Sequence, residues 1–172
     1  MIRAAFVDLI SEKKLISNIS VSELAEKADI AKSTFYNHYE DIYAVADELF
    51  KEIISGLEAV IDNIERFKTV DYQVYIQSIF SYLREGEDFY RKLVASPEAI
   101  YFIDRVKHIV TKRTFDNVKS PSFFKNPADR YVQINFFANA CIDTMVDYLK
   151  GEFDMTFDQF EKTITDILKK TM

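Results

Sequence analysis

Glycine and proline are scarce in this chain, since each occurs only three times in 172 residues. β-Sandwiches, β-barrels and glycine-rich phosphate loops all depend on turns that these two residues favour. Apolar residues instead recur at spacings of three and four, the pattern of helices with one buried face. Hydrophobic residues make up 48% of the chain, with 15 Phe and 10 Tyr, enough to build a folded core. The sequence therefore predicts an all-α protein.

Composition also limits where such a protein works and what it binds. The single cysteine, Cys141, excludes an intramolecular disulfide and fits a reducing compartment. No apolar run reaches the roughly 18 residues of a membrane-spanning helix, and no signal-peptide pattern follows Met1, so we expect a cytoplasmic protein that does not bind membranes. The net charge of −6 gives no general attraction to nucleic acid. Any DNA binding must therefore come from a local surface.

The first 65 or so residues carry the signals of three short helices and one long helix. An apolar stripe predicts a first helix over residues 2–14, and Ser20 with Glu23 forms the capping box of a second. The second helix stops at Asp29, and a third short helix covers residues 32–39. A long helix over residues 42–67 then links the two halves of the chain.

The second and third helices match the helix–turn–helix pattern. Ala25 is small where two helices would cross, Asp29 tolerates a turn conformation, and Phe35 is an apolar anchor in the recognition helix. We expect Phe35 and Tyr39 to lie in the core. The polar side chains of the recognition helix can donate to phosphate or contact base edges: Lys32, Ser33, Thr34, Tyr36, Asn37 and His38. For Tyr36 and His38, the alternative is a half-buried pair that packs the small head.

A longer pattern runs through residues 20–39. It has a hydroxyl N-cap, then Leu-Ala, a turn, Ser-Thr-Phe-Tyr and His-Tyr, and a new helix starts after residue 40. This order resembles the TetR-type bacterial transcriptional regulators. The resemblance implies a three-helix DNA-binding head in residues 1–45, joined by the linking helix to a helical body in residues 46–172 that dimerises and houses an effector pocket. It also implies that Ser20 holds a phosphate, and that Lys32, Ser33 and Thr34 lie nearest the base edges and phosphate. Tyr36 and His38 would grip the DNA backbone, with Asn37 as a further member of the surface.

Three positions depart from the family pattern. Asp29 replaces the turn glycine, and Ala31 replaces the hydroxyl cap of the recognition helix, at a cost of about 1 kcal/mol. Ile42 stands where the family commonly has a lysine, which removes one phosphate contact. Residues 1–50 hold five basic and nine acidic side chains, a net charge of −4. We therefore expect weak binding to DNA of arbitrary sequence and a modest salt dependence.

The second half of the chain predicts further helices and a dimer interface. Helices are expected from about residue 69 or 71 to 84, around 89–94, and over 96–117, 126–149 and 156–169, with a loop at 119–126. The helix over 126–149 has a second apolar stripe, which a two-fold partner or another helix of the same subunit would cover. The predicted interface residues are Val132, Phe136, Ala140, Phe160, Ile164 and Ile167.

No catalytic set, metal cluster or cofactor motif stands out, so we expect neither an enzyme nor a cofactor. His108 and Cys141 are interpreted as ordinary side chains, and the acidic residues Glu85, Glu87 and Asp88 as a solvated turn. The aromatic residues of the body fit either an effector pocket or a solid core. The leading hypothesis is a homodimeric regulator, more often a repressor in this family, that binds palindromic double-stranded DNA and is released by a small-molecule or protein effector. The alternative is a helical ligand- or protein-sensing module that has lost DNA binding.

Overall fold

The computed structural model describes residues 1–65, 72–117 and 127–171, and these ranges contain helices and turns but no strand. The all-α prediction is confirmed. The helices are α1 (Ile2–Lys13), α2 (Val21–Lys27), α3 (Lys32–Tyr36), α4 (Ile42–Glu65), α5 (Tyr72–Glu85), α6 (Glu87–Val94), α7 (Ala99–Asn117), α8 (Pro127–Lys150) and α9 (Phe157–Thr171), with a 3-10 turn at Ile16–Asn18. The predicted loop at 119–126 lies outside the described residues, as does the predicted end of the linking helix at 67.

Short-range polar contacts start several of these helices where the sequence predicts. Ser20 and Glu23 form the expected capping box of α2. At α9, the backbone N–H of Thr156 donates to Gln159 Oε1 at 2.8 Å, and the N–H of Gln159 donates to Thr156 Oγ1 at 3.3 Å. At the end of α8, Gly151 has φ +83°, a conformation in which a residue with a side chain would be strained. The predicted capping box of α2 is confirmed.

The recognition helix α3 is shorter than predicted. It ends at Tyr36 rather than Tyr39, because the N–H groups of His38 and Tyr39 both donate to the carbonyl of Phe35 in a terminal turn. Its N-cap residue, Ala31, supplies no side-chain hydrogen bond, as expected for an alanine at that position.

The chain divides into two compact units. The first unit comprises Met1–Gly56 and Asp88–Phe102, so that α6 and the start of α7 belong with the N-terminal helices. Lys92 Nζ lies 2.6 Å from Asp8 Oδ1 on α1. Ser96 Oγ donates to the carbonyl of Lys14 at 2.7 Å, and the N–H of Ile16 donates to Glu98 Oε2 at 2.6 Å. The predicted functional boundary at residue 45 stays a prediction.

The second unit comprises Leu57–Glu87 and Ile103–Met172. Leu57, Ile61 and Val110 form one buried cluster in it. A second, aromatic cluster joins α5, α8 and α9, where Phe160 stacks on Tyr148 with ring centroids 4.6 Å apart and contacts Phe80 at 5.9 Å. Arg84 on α5 bridges Asp158 and Glu161 on α9 and lies over the ring of Phe157. These contacts hold α9 against α5.

Candidate nucleic-acid interface

The turn between α2 and α3 has the geometry that the sequence pattern predicts. Asp29 adopts the left-handed conformation with φ 53°, which aspartate tolerates better than most residues. The N–H of Ile30 then donates to the carbonyl of Ala25 at 3.0 Å and closes the turn. Leu24 and Ala25 are buried where α2 packs against its neighbours. An aspartate therefore serves in place of the glycine that is usual at this position.

Phe35 is the anchor that holds α3 on the head. Its side chain is completely buried, and its ring meets those of Tyr36 and Tyr39 at centroid distances of 5.4 and 5.7 Å. Phe35 therefore lies in the core, as expected, and Tyr39 is half-buried. One buried ring in a five-residue helix leaves most of the remaining side chains at the surface.

All seven residues that the sequence predicts to contact DNA are exposed. The structure brings six of them together on α3 and the turn that follows it, and places Ser20 before α2. Tyr36 is 59% exposed, and His38 is exposed beside it, so the two do not form the half-buried pair of the alternative interpretation. The exposed residues are Ser20, Lys32, Ser33, Thr34, Tyr36, Asn37 and His38. Their contact with DNA stays a prediction.

Ser20 is already engaged within the head. Its hydroxyl accepts from the N–H of Glu23 at 3.2 Å and donates to Glu23 Oε2 at 2.9 Å, while its own N–H donates to the same oxygen at 3.1 Å. Lys13 Nζ lies 2.9 Å from Glu23 Oε1. Bonding to Lys13, and then to the N–H and hydroxyl of Ser20, lowers the pKa of Glu23 to about 2. The Ser20 hydroxyl thus faces a carboxylate that is ionised at neutral pH.

Ion pairs use three of the five cations that precede residue 50. Lys13 pairs with Glu23, Lys27 Nζ lies 2.8 Å from Glu12 Oε1, and Arg3 pairs with Glu52. Within the described parts of the chain, no carboxylate lies within 4.0 Å of the side-chain nitrogen of Lys14 or Lys32. Lys32, in the first turn of α3, is therefore available to an anion. A count of charges along the sequence could not have distinguished these two groups of lysines.

The start of α4 offers no cation. Ile42, where the family commonly has a lysine, is buried, and Asp41 Oδ1 accepts from the N–H of Ala44 at 2.8 Å. The next residue, Tyr43, is 53% exposed. Sequence reasoning did not single out Tyr43. Its position directly after the inward-facing Ile42 is the signal that could have indicated its exposure. This end of α4 therefore presents a neutral phenol beside a carboxylate.

The six predicted interface residues separate into two groups. Val132, Phe136 and Ala140 are exposed on α8, and Ile167 on α9 is 49% exposed. Phe160 and Ile164 are buried among residues of their own subunit, Phe160 within the aromatic cluster. These two cannot cover a second subunit while they fill the subunit's core. The interface prediction is corrected in that respect and narrows to the four exposed residues.

Other side chains that the sequence analysis considered have simple surroundings. Glu87 is more than part of a solvated turn, because it accepts a hydrogen bond from the Tyr148 hydroxyl at 2.7 Å. Burial raises the pKa of the Cys141 thiol to about 11, so the thiol stays protonated at neutral pH. His108 is exposed. Among the described residues, no group of histidine, cysteine or acidic side chains is arranged to hold a metal ion, and no helix is long and apolar enough to cross a membrane.

A head with a helix–turn–helix and an exposed polar α3, followed by a C-terminal half whose described residues are helical, is an architecture typical of DNA-binding regulators. A TetR-type family model described as "Transcriptional regulator C-terminal region" matches residues 71–170, which is more than half of the chain. The chain therefore belongs to the TetR family of transcriptional regulators.

The chain is also similar to two known proteins. The chain is 23% identical over 154 residues to the HTH-type dhaKLM operon transcriptional activator DhaS of Lactococcus lactis subsp. lactis (strain IL1403), covering 88% of this chain and 79% of that protein. A solved structure described as the dihydroxyacetone kinase operon activator DhaS matches with a TM-score of 0.63 and 20% identity, covering 98% of this chain and 92% of that one. At this identity, the structural likeness shows the fold.

Proposed function

We propose that this TetR-family chain acts as a homodimer that binds a palindromic DNA sequence and regulates transcription there. The observation that carries the proposal is the exposed polar surface of α3, with Lys32 unpaired among the described residues in its first turn. Lysine donates to phosphate and to guanine, and the short hydroxyls of Ser33 and Thr34 can approach base edges closely. Tyr36 and His38 extend the same surface and contact the sugar–phosphate backbone of the DNA, with Asn37 beside them.

Ser20 has a smaller part in this proposal. Its hydroxyl donates to Glu23, so a phosphate contact through that hydroxyl requires the hydroxyl to turn away from the carboxylate. A neutral donor bonded to an ionised carboxylate gains little by exchanging it for a phosphate. We therefore expect loss of the Ser20 hydroxyl to weaken DNA binding less than loss of Lys32.

The exposed apolar stripe of α8 supports the dimer. Val132, Phe136 and Ala140 recur every four residues and form one ridge, and Val132 and Phe136 are 66% and 67% exposed. Two helices can pack closely through ridges of this spacing, and a two-fold axis would pair the ridge with its own copy. Ile167 on α9 adds apolar surface to the proposed interface.

In a dimer, the distance between the two recognition helices controls DNA binding. Two recognition helices enter successive major grooves only when they lie roughly 34–36 Å apart, or a multiple of that distance. We propose that residues 46–172 set this separation, and that an effector bound in the body changes it. The family resemblance favours repression, whereas both relatives are named as activators. Transcription in vitro from a template that carries the bound sequence distinguishes repression from activation.

The test begins with the wild-type protein and a library of random duplexes, from which bound sequences are selected at low salt. Affinity for the selected duplex is then measured by fluorescence anisotropy for Lys32→Ala and Tyr36→Ala. The matched controls are Lys51→Ala and Tyr101→Ala, since both residues are exposed in the same unit but lie outside the helix–turn–helix. We expect at least tenfold weaker binding for the first two variants and unchanged binding for the controls.

A second candidate function is a helical ligand- or protein-sensing module without DNA binding. Three of the five cations before residue 50 are already paired with carboxylates, which favours this candidate. It replaces the first proposal if no duplex is selected or protected at low salt, or if all four variants bind as the wild type does.

A further inference from the structure

We propose that Glu23 and Glu12 are specificity-determining residues, which hold Lys13 and Lys27 in ion pairs and thereby lower the affinity of the head for DNA of arbitrary sequence. This inference rests on the DNA binding proposed above and concerns how the head keeps that binding selective.

The two ion pairs lie at the helix that precedes the recognition helix. Lys13 ends α1 and pairs with Glu23 in the first turn of α2, while Lys27 ends α2 and pairs with Glu12. In helix–turn–helix proteins, this preceding helix crosses the sugar–phosphate backbone. Cations at both ends of α2 therefore flank the helix that a bound duplex would meet, and exposed charges act over roughly 8–10 Å at moderate salt.

Glu23 is held in place by more than the lysine. Its carboxylate accepts from both the N–H and the hydroxyl of Ser20, and its own N–H donates to that hydroxyl. The capping box therefore fixes the carboxylate in the first turn of α2, where it engages Lys13. A duplex that approaches this end of α2 meets an ion pair rather than a lysine.

Pairing of these lysines affects non-specific binding most. Binding to arbitrary sequence depends almost entirely on cations that neutralise phosphates, whereas specific binding also depends on contacts to base edges. Lys32 lies in the reading helix and is unpaired among the described residues, while Lys13 and Lys27 are paired. The head thus keeps Lys32 unpaired where sequence is read and neutralises the lysines that end α1 and α2, Lys13 and Lys27. This distribution raises the ratio of specific to non-specific affinity.

The test is Glu23→Gln in the 172-residue chain. Glutamine also serves as the third residue of a capping box, so α2 remains capped while Lys13 loses its ionic partner. Binding is measured to a 30-base-pair duplex pool of random sequence and to the duplex selected by the wild type, over about 50–200 mM salt. The logarithm of affinity falls by about 0.9 per phosphate neutralised for each tenfold rise in salt. Two Lys13 residues released in a dimer should steepen the slope by about 2.

The expected change in affinity follows from that slope. Relative to wild type, Glu23→Gln should gain about tenfold in affinity for the random pool as salt falls from 200 to 50 mM. The selected duplex should gain less, so that the specificity ratio falls. Glu12→Gln, which releases Lys27, should act in the same direction.

Glu26→Gln is the matched control. Glu26 is exposed on α2, three residues after Glu23, and within the described ranges it pairs with no lysine or arginine. The Glu26→Gln substitution removes the same charge as Glu23→Gln but releases no cation from an ion pair. Addition of Lys13→Ala to Glu23→Gln should return the salt slope to that of the wild type.

The inference is overturned if Glu23→Gln and Glu26→Gln change the salt slope equally, because net charge alone then accounts for the effect. It is also overturned if the wild type binds its selected duplex and Glu23→Gln binds the random pool no more tightly. Failure of the wild type to bind any duplex contradicts the proposed function instead, which is a separate outcome.

Discussion

The helices α3 and α9 show two ways in which an aromatic side chain holds a helix in this protein. The five residues of α3 have one buried side chain, Phe35, and the rest of the helix is exposed and polar. The 15 residues of α9 bury Phe157, Phe160, Ile164 and Leu168, and ion pairs to Arg84 fasten the first turns. The recognition helix is thus held through one ring and displays its remaining surface, whereas the last helix uses its apolar face to build the core.

The exposed surface of α3 can therefore bind a partner, whereas the apolar face of α9 is already buried in the core. A helix with a wide apolar face stabilises the fold mainly by burying that face, and the buried side chains cannot contact a partner. A helix of five residues is too short to be stable by itself and depends on the elements around it. Substitutions in the two helices should therefore affect stability and binding in different proportions.

The largest effect is expected for Phe160→Ala. The ring is 2% exposed, stacks on Tyr148 and contacts Phe80 and Phe153, so its removal leaves a cavity in the aromatic cluster. We expect a loss of about 4 kcal/mol in the free energy of unfolding. Urea denaturation followed by circular dichroism measures it. Phe136→Ala removes the same ring from a 67% exposed position and should weaken dimerisation instead. Equal destabilisation by both variants would contradict the distinction.

The next largest effect is expected for Phe35→Ala. The free energy of unfolding should fall by about 3 kcal/mol, because a fully buried ring is removed from a small unit. Since Phe35 is the anchor of α3, duplex binding should be lost as well. Tyr36→Ala, one residue further on, removes an exposed ring and should change the free energy of unfolding by about 0.5 kcal/mol or less while it weakens duplex binding at least tenfold. Unfolding and anisotropy measurements on both variants test this. A stable Phe35→Ala protein would show that α3 needs no anchor.

A smaller effect, of opposite sign, is expected for Ala31→Ser. Ala31 has the extended backbone conformation of an N-cap residue, with φ −72° and ψ 149°, but no side chain that can accept a hydrogen bond. A serine hydroxyl there can accept from the backbone N–H groups at the start of α3, and we expect a gain of about 1 kcal/mol. The midpoint of urea unfolding should rise without a change in slope. Ala31→Val, which cannot cap, should not produce the gain.

The smallest expected effect is a change in the acid stability of the head. The pKa of Glu23 in the folded protein, about 2, lies below its ordinary value of 4.5, so its ionised form stabilises the fold above pH 4.5. That contribution is lost as the pH falls from 4.5 towards 2. Glu23→Gln should therefore lose less stability than wild type over this window. Thermal unfolding between pH 2 and 6 measures the difference, and an equal loss of stability in Glu23→Gln and wild type would contradict the prediction.

The sequence predicted the head more completely than the body. Each contact that starts or ends a helix there joins residues close in the chain, such as Ser20 with Glu23 and Ile30 with Ala25. Such contacts require only the right residue types at the right spacing. The same reasoning could not separate Phe160 from Ile167, because both lie on one amphipathic helix and the limit of the buried face depends on what packs against it.

The amino-acid sequence by itself determined the helices, their caps and the αL turn at Asp29, because bonds between neighbours along the chain decide these features. The tertiary structure alone decided which lysines are paired, that residues 88–102 belong with the head, and that Phe160 is internal. Lys13 meets Glu23 ten residues away, and Lys92 meets Asp8 across 84 residues. Partners at such separations are chosen by the packing of whole helices, which no local pattern specifies.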